Sequence, residues 1–215
     1  MEYRCEATTI EGFVQQLAVS YIANGYWFYV TGVIPERKTP QDVDAKLIKK
    51  YGVAVSKFAR YRRKAGGRAN VQYIRHGRFY VLIATRGQHE FFTEERFKDC
   101  REEPIKFGSY SIGYRDGHPH VGIERGTYRD LKAYLLGLAV HRRREWLEGV
   151  FSSLPFEPYA PVRRQLMTLF NRVNHCRVTA GLDSLSFGCL RLRRRICSPF
   201  KVPGSAGSSE GSSPS

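Results

Sequence analysis

The stretch ANVQYIRHGRFYVLIAT, residues 69–85, carries β-branched and aromatic residues on both sides of His76–Gly77. Such residues suit a pleated, half-buried surface, and a glycine in a two-residue connection is a hairpin signal. The stretch predicts antiparallel strands over 69–75 and 78–85. A second hairpin is expected at Asp116–Gly117, the strongest short hairpin dipeptide, between strands over 105–114 and 118–124. A fifth strand is expected where Tyr26, Trp27, Phe28, Tyr29, Val30 and Thr31 follow one another.

Helical signals fill the gaps between these strands. Thr8 or Thr9 can cap a first helix bearing Phe13, Leu17 and Tyr21, which Asn24–Gly25 ends. Thr39 before Pro40 opens a second, with Asp42 and Asp44 as first-turn acids and Tyr51–Gly52 as its stop. A third is expected over 53–64, ending at Gly66–Gly67. A fourth begins at Thr127 and Asp130 and reaches about Glu148, with His141, Arg142, Arg143 and Arg144 in its last turns, where cations favour the carbonyl end. A last helix runs from Pro161 to near Gly181 and buries Val162, Leu166, Phe170 and Val173.

The sum is an α+β fold: about five mostly antiparallel strands, most simply one sheet covered on one face by helices, with a helical C-terminal third. Residues 1–126 form the sheet domain and 127–203 a basic helical subdomain packed on it. From Gly204 to 215 the Ser/Gly-rich tail has nothing to bury and is expected to be disordered.

The chain of 215 residues has a formal net charge of +15. The first 50 residues hold six basic and six acidic side chains; residues 51–100 hold eleven against four, and 151–215 nine against three. Two separated basic regions point to a surface with a preferred face, and nucleic acid is the first partner to consider. No apolar run approaches the roughly 20 residues that span a bilayer, so no membrane partner is expected. The start, MEYRCEATT, reads as neither a signal nor a transit peptide. Five cysteines, an odd number with no C-x-x-C spacing, fit a reducing cytoplasm better than a disulfide framework or a thiolate zinc site.

The first basic region lacks any Asp or Glu from Val53 through His89. Lys57, Arg60, Arg63, Lys64, Arg68, Arg75, Arg78 and Arg86 are its candidate phosphate contacts, with Tyr73, Phe79 and Tyr80 interleaved. Guanidinium forks bind phosphates and aromatic faces stack unpaired bases, so the mixture suits nucleic acid better than lipid. In the helix over 53–64, Val55, Phe58, Ala59 and Arg62 share the side expected to dock on the sheet. The second region comprises Arg163, Arg164, Arg172 and Arg177 on the last helix and the run Arg191, Arg193, Arg194 and Arg195 beyond it. Arg163, Arg164, Arg193 and Arg194 are the candidates there.

One constellation suggests chemistry. His118 and His120, one residue apart on a strand, share a face and can share a divalent metal; Glu124 has the same parity. A helix with Tyr128 follows. Gly117–His118–Pro119–His120–Val121 resembles, at motif level, the His-hydrophobic-His endonucleases of rolling-circle replication, relaxation and single-strand transposition, with Pro119 where that family has an aliphatic residue. The resemblance implies Mg or Mn held by His118, His120 and Glu124, with Tyr128 as nucleophile on a scissile phosphate. It is the alternative to the leading expectation, a nucleic-acid-binding protein linked to a mobile element; a third is an interaction module for an acidic protein. Outside the nuclease reading no cofactor is expected, since no Walker loop or dinucleotide glycine fingerprint occurs.

Overall fold

The computed structural model describes residues 3–200. The Ser/Gly-rich tail lies outside the described residues. The fold is α+β, with two antiparallel sheets. Strands β1 (Tyr26–Val33), β2 (Val71–His76), β3 (Phe79–Thr85) and the two-residue β4 (Lys98–Asp99) form the first, in the order β2-β3-β1-β4. Strands β5 (Ile105–Phe107), β6 (Tyr110–Arg115) and β7 (His118–Ile123) form the second.

The hairpin β2–β3 pairs His76 with Phe79 across a loop of Gly77 and Arg78. In the hairpin β6–β7, Asp116 and Gly117 both have positive φ, 51° and 79°. That is the twist a two-residue turn needs, and Asp and Gly tolerate it. The expected strand over 105–114 is two strands, because Gly108, at φ 53°, turns the chain between them.

The first sheet is covered on both faces, not one. Its inner face, with Ile74, Val81 and Ile83, meets the first helix α1 (Ile10–Gln15), which supplies Phe13 and Val14. Its outer face, with Val71, Tyr73, Leu82 and Ala84, packs on Tyr51, Val53 and Phe91 and on α2 (Pro40–Lys50). The second sheet closes the same inner core with Ile105, Ile112, Val121 and Ile123. After Gln15 the helix widens into a π-helix, Gln16–Tyr21, that still buries Leu17, Ala18 and Tyr21. Helix α3 (Lys57–Ala65) follows α2, and a short α4 (Phe91–Glu94) follows β3.

The helical C-terminal third differs from expectation in the start and the continuity of its first helix. The helix expected to reach Glu148 is two helices, α5 (Arg125–Leu138) and α6 (Arg144–Ser153). Its N-cap is Glu124, whose carboxylate accepts from the amides of Gly126 and Thr127. The break is held by Arg177 on α7 (Ala160–Thr179). That buried guanidinium donates to the carbonyls of Ala139 at 2.8 Å, Arg142 at 2.9 Å and Asp183 at 2.7 Å. A helix end needs partners for its last carbonyls, and a cation there is favoured. Arg177 is therefore a structural group and not part of a basic surface. Arg144 opens α6 and pairs with Glu148. The amide of Gln165, on α7, brackets the backbone of Ile123 on the edge strand β7, which fixes α7 to the second sheet. Among the described residues no helix is long and apolar enough to cross a membrane.

Candidate nucleic-acid interface

Helix α3 does not dock as expected. Ser56 caps it by accepting from the amide of Ala59, so it begins four residues later than the expected start, and none of its residues is buried. Phe58, expected to dock on the sheet, is 79% exposed, and Tyr61 is 74% exposed. Three residues apart, they are surface neighbours on a helix, and Lys57, Arg62 and Lys64 flank them, all exposed. The half-buried side carries Ala59, Arg60 and Arg63. Arg60 donates to the Val55 carbonyl at 2.8 Å and Arg63 to that of Gly52 at 3.1 Å, while Asn70 donates to the Arg60 carbonyl. Val53, just upstream, enters the core in their place. The helix is tethered by arginine–carbonyl hydrogen bonds, which leaves its aromatic side chains outside.

The candidate cations of this region separate into three groups. Lys57, Lys64, Arg68 and Arg86 are exposed, and Arg62 joins them. Arg60, Arg63 and Arg78 are half-buried and spend donors on backbone carbonyls; Arg78 braces the loop after β1 through Ile34, Pro35, Glu36 and Lys38. Arg75 leaves the surface altogether. It is 2% exposed and pairs with Asp44 at 2.7 Å and Glu6 at 2.7 Å. A buried guanidinium without counter-charge is costly, so the chain supplies one. Asp44 is thus the partner of Arg75 and Tyr73, not merely a first-turn acid. Among the described residues, Arg75 is the one cation between Lys57 and Arg86 that forms an ion pair.

The second basic region is laid along the body. Arg191 donates to Glu157, and the backbone amide of Arg195 donates to the same carboxylate. Arg194 stacks on Tyr159 at 4.9 Å. The chain then runs to α1, where the Gln15 amide brackets the backbone of Cys197 and Thr8 donates its amide to the Pro199 carbonyl. Arg163, Arg164 and Arg193 are exposed; Arg163 also donates to the Pro158 carbonyl.

Where α3 begins, a groove of about 1010 Å³ opens between the N-terminal segment, the π-helix and the chain from Ala54 to Arg60. Its floor is made by Tyr3, Tyr21, Tyr26 and Gln72, and Arg4, Lys57 and Arg60 line its sides. Phe200, at the end of the basic C-terminal segment, also lines it, so the two basic regions meet there. Burial pushes the Tyr21 and Tyr26 phenols up, which keeps them protonated donors. Sequence reasoning missed this groove because five segments distant in the chain build it. It also missed the exposure of Phe58 and Tyr61, although their spacing between cations is readable.

The histidine constellation is placed but not assembled. His118 is exposed beside the turn, and Pro119 sits on the edge strand β7, where a missing ladder donor is tolerated. His120 is half-buried, and its pKa is lowered by burial and by the cations Arg115 and Arg164. Those charges oppose a divalent cation. Glu124 is committed to capping α5 and lies 3.5 Å from Lys106. His118, His120 and Glu124 therefore do not form the expected metal set, and among the described residues no group of three His, Cys, Asp or Glu could hold a metal ion. Tyr128 is half-buried against both neighbouring cores and shares a shallow pocket with Glu124, Arg129 and Lys132. No protein-family model matches the chain, and no curated protein matches it in sequence.

Proposed function

We propose that this protein binds nucleic acid, with the exposed side of α3 as its contact element and unpaired strands as its preferred form. The observation that supports the reading best is a helix with no buried residue that still projects Phe58 and Tyr61 among Lys57, Arg62 and Lys64. Helices in soluble proteins bury their aromatics, and exposed ones mark interaction sites. Cations without internal carboxylates favour a polyanion, and projecting rings add stacking on bases. Arg68 and Arg86 extend the contact, and Arg193 and Arg194 supply a second one through the C-terminal segment. A cytoplasmic setting goes with this reading, since the five cysteines are free thiols.

The test is fluorescence anisotropy with labelled single-stranded DNA, single-stranded RNA and duplex of one length. Each base–aromatic stack is worth about 1–3 kcal/mol, so Phe58→Ala and Tyr61→Ala should each weaken single-strand binding by roughly tenfold while the fold persists. Binding to none of the three, with capture of an acidic protein that survives nuclease treatment, would replace the reading.

A further inference from the structure

The groove at the start of α3 has the chemistry of a site for one nucleotide unit. We propose that it seats a single base with its phosphate, either one nucleotide of a bound strand or a free mononucleotide. The inference takes its ligand class from the nucleic-acid reading. Its size, about 1010 Å³, is that of a small-molecule site rather than a surface dimple. Its charge is one-sided: Arg4, Lys57 and Arg60 line it and, among the described residues, no Asp or Glu does. An anion completes that set, and phosphate is the anion that guanidinium and ammonium groups share most readily.

The floor supplies the other half of a nucleotide's requirements. Gln72, 5% exposed, and the phenols of Tyr3, Tyr21 and Tyr26 place donors and acceptors below the cationic sides. The Tyr3 hydroxyl is already anchored, its proton shared between the Tyr73 carbonyl at 2.8 Å and Gln72 Oε1 at 3.0 Å, while it accepts from the Tyr73 amide at 3.2 Å. A floor held by such bonds presents its polar edges in fixed positions, as reading a base edge requires. The π-helix also lines the groove, through Gln16 and Ser20. π-Helical turns are rare, strained relative to the α-helix and frequent at functional sites. Here the widened turn carries Gln16, Ser20 and Tyr21, all lining residues, to the groove. The groove is reached directly from Lys57, so a strand lying along α3 can place one nucleotide in it.

Calorimetric titration of the full chain tests this with 5′-adenosine and 5′-thymidine monophosphate, adenosine and inorganic phosphate as separate probes, beside a labelled single-stranded oligonucleotide. Arg4→Ala removes a surface cation, and Ser20→Trp blocks the groove from its rim, so neither disturbs the core. A monophosphate should bind more tightly than adenosine or phosphate alone, and both variants should weaken it at least fivefold. Mononucleotide binding without oligonucleotide binding would keep the groove and reject the strand. Oligonucleotide binding that Arg62→Ala and Lys64→Ala weaken but Arg4→Ala and Ser20→Trp leave unchanged would overturn the groove and keep the α3 interface. No binding of either probe would overturn both.

Discussion

Asp44→Asn is the most revealing perturbation of stability. The Asp44 carboxylate accepts from Arg75 Nε through both oxygens, at 3.0 and 2.7 Å, and from the Tyr73 hydroxyl at 2.6 Å. The Arg75 side chain is 3% exposed, and its other carboxylate, on Glu6, is 51% exposed. Removing the buried charge leaves the guanidinium with a half-solvated partner and the Gly77 carbonyl. Breaking one side of a buried pair costs about 3–5 kcal/mol, whereas a half-exposed ion pair is worth about 1 kcal/mol or less. For a domain of this size that range lowers Tm by roughly 6–20 °C. Urea unfolding followed by circular dichroism should place Glu6→Gln near the wild type and Asp44→Asn far below it. Pairing Asp44→Asn with Arg75→Met should recover much of the loss, because no charge is then stranded. An Asp44→Asn variant as stable as Glu6→Gln would refute the claim that Arg75 is held inside by its own counter-ion.

Three further outcomes are expected. Arg177→Met strands the carbonyls of Ala139, Arg142 and Asp183, at about 1–3 kcal/mol per buried group, and should destabilise by more than about 2 kcal/mol, while Arg172→Met on the exposed side changes stability by under about 0.5 kcal/mol; denaturant titration decides. Gly12→Ala would set a methyl 2.7 Å from Pro199 Cα, so it should lift the C-terminal segment and speed tryptic cleavage at Arg193–Arg195 several-fold; an unchanged digestion rate counts against that docking. His120 titrates below the ordinary 6.5 because burial and then Arg115 and Arg164 disfavour its charged form. The unfolded chain therefore takes up the proton first, stability contributed by neutral His120 is present above pH 6.5 and is lost below it, and His120→Gln should flatten the fall in urea midpoint between pH 7 and 5. His89, lowered mainly by burial, shares the direction and should preserve part of the slope.

The hairpins were legible because their signals are local. Asp116–Gly117 adopts the positive φ pair that its residue types allow, and the β-branched run of β3 has little else to become. Helix α7 was legible for the same reason, its buried face recurring at helical spacing from Val162 to Val173. Long-range partners were not legible. Nothing near Leu138 announces that Arg177 will arrive to hold its helix end, and nothing near Asp44 names Arg75. The apolar side assigned to α3 failed because periodicity counts Phe58 as a core residue, whereas Arg60 and Arg63 satisfy loop carbonyls and turn Phe58 outward. The basic region itself was readable as charge without carboxylates, but its division into exposed, carbonyl-bound and buried members needed the fold. For the histidines, their common strand was legible from the hairpin signal, whereas the use of Glu124 to cap α5 was not.

The salt dependence of oligonucleotide affinity tests the proposed nucleic-acid contact most directly. Each neutralised phosphate contributes about −0.7 to the slope of log affinity against log salt for a single strand. Replacing Lys57, Arg62, Lys64 and Arg68 together by alanine should therefore reduce the slope by roughly 3, with the urea midpoint little changed. A steep wild-type slope that this variant leaves intact would contradict α3 as the contact surface, and a flat wild-type slope would contradict nucleic-acid binding by these cations.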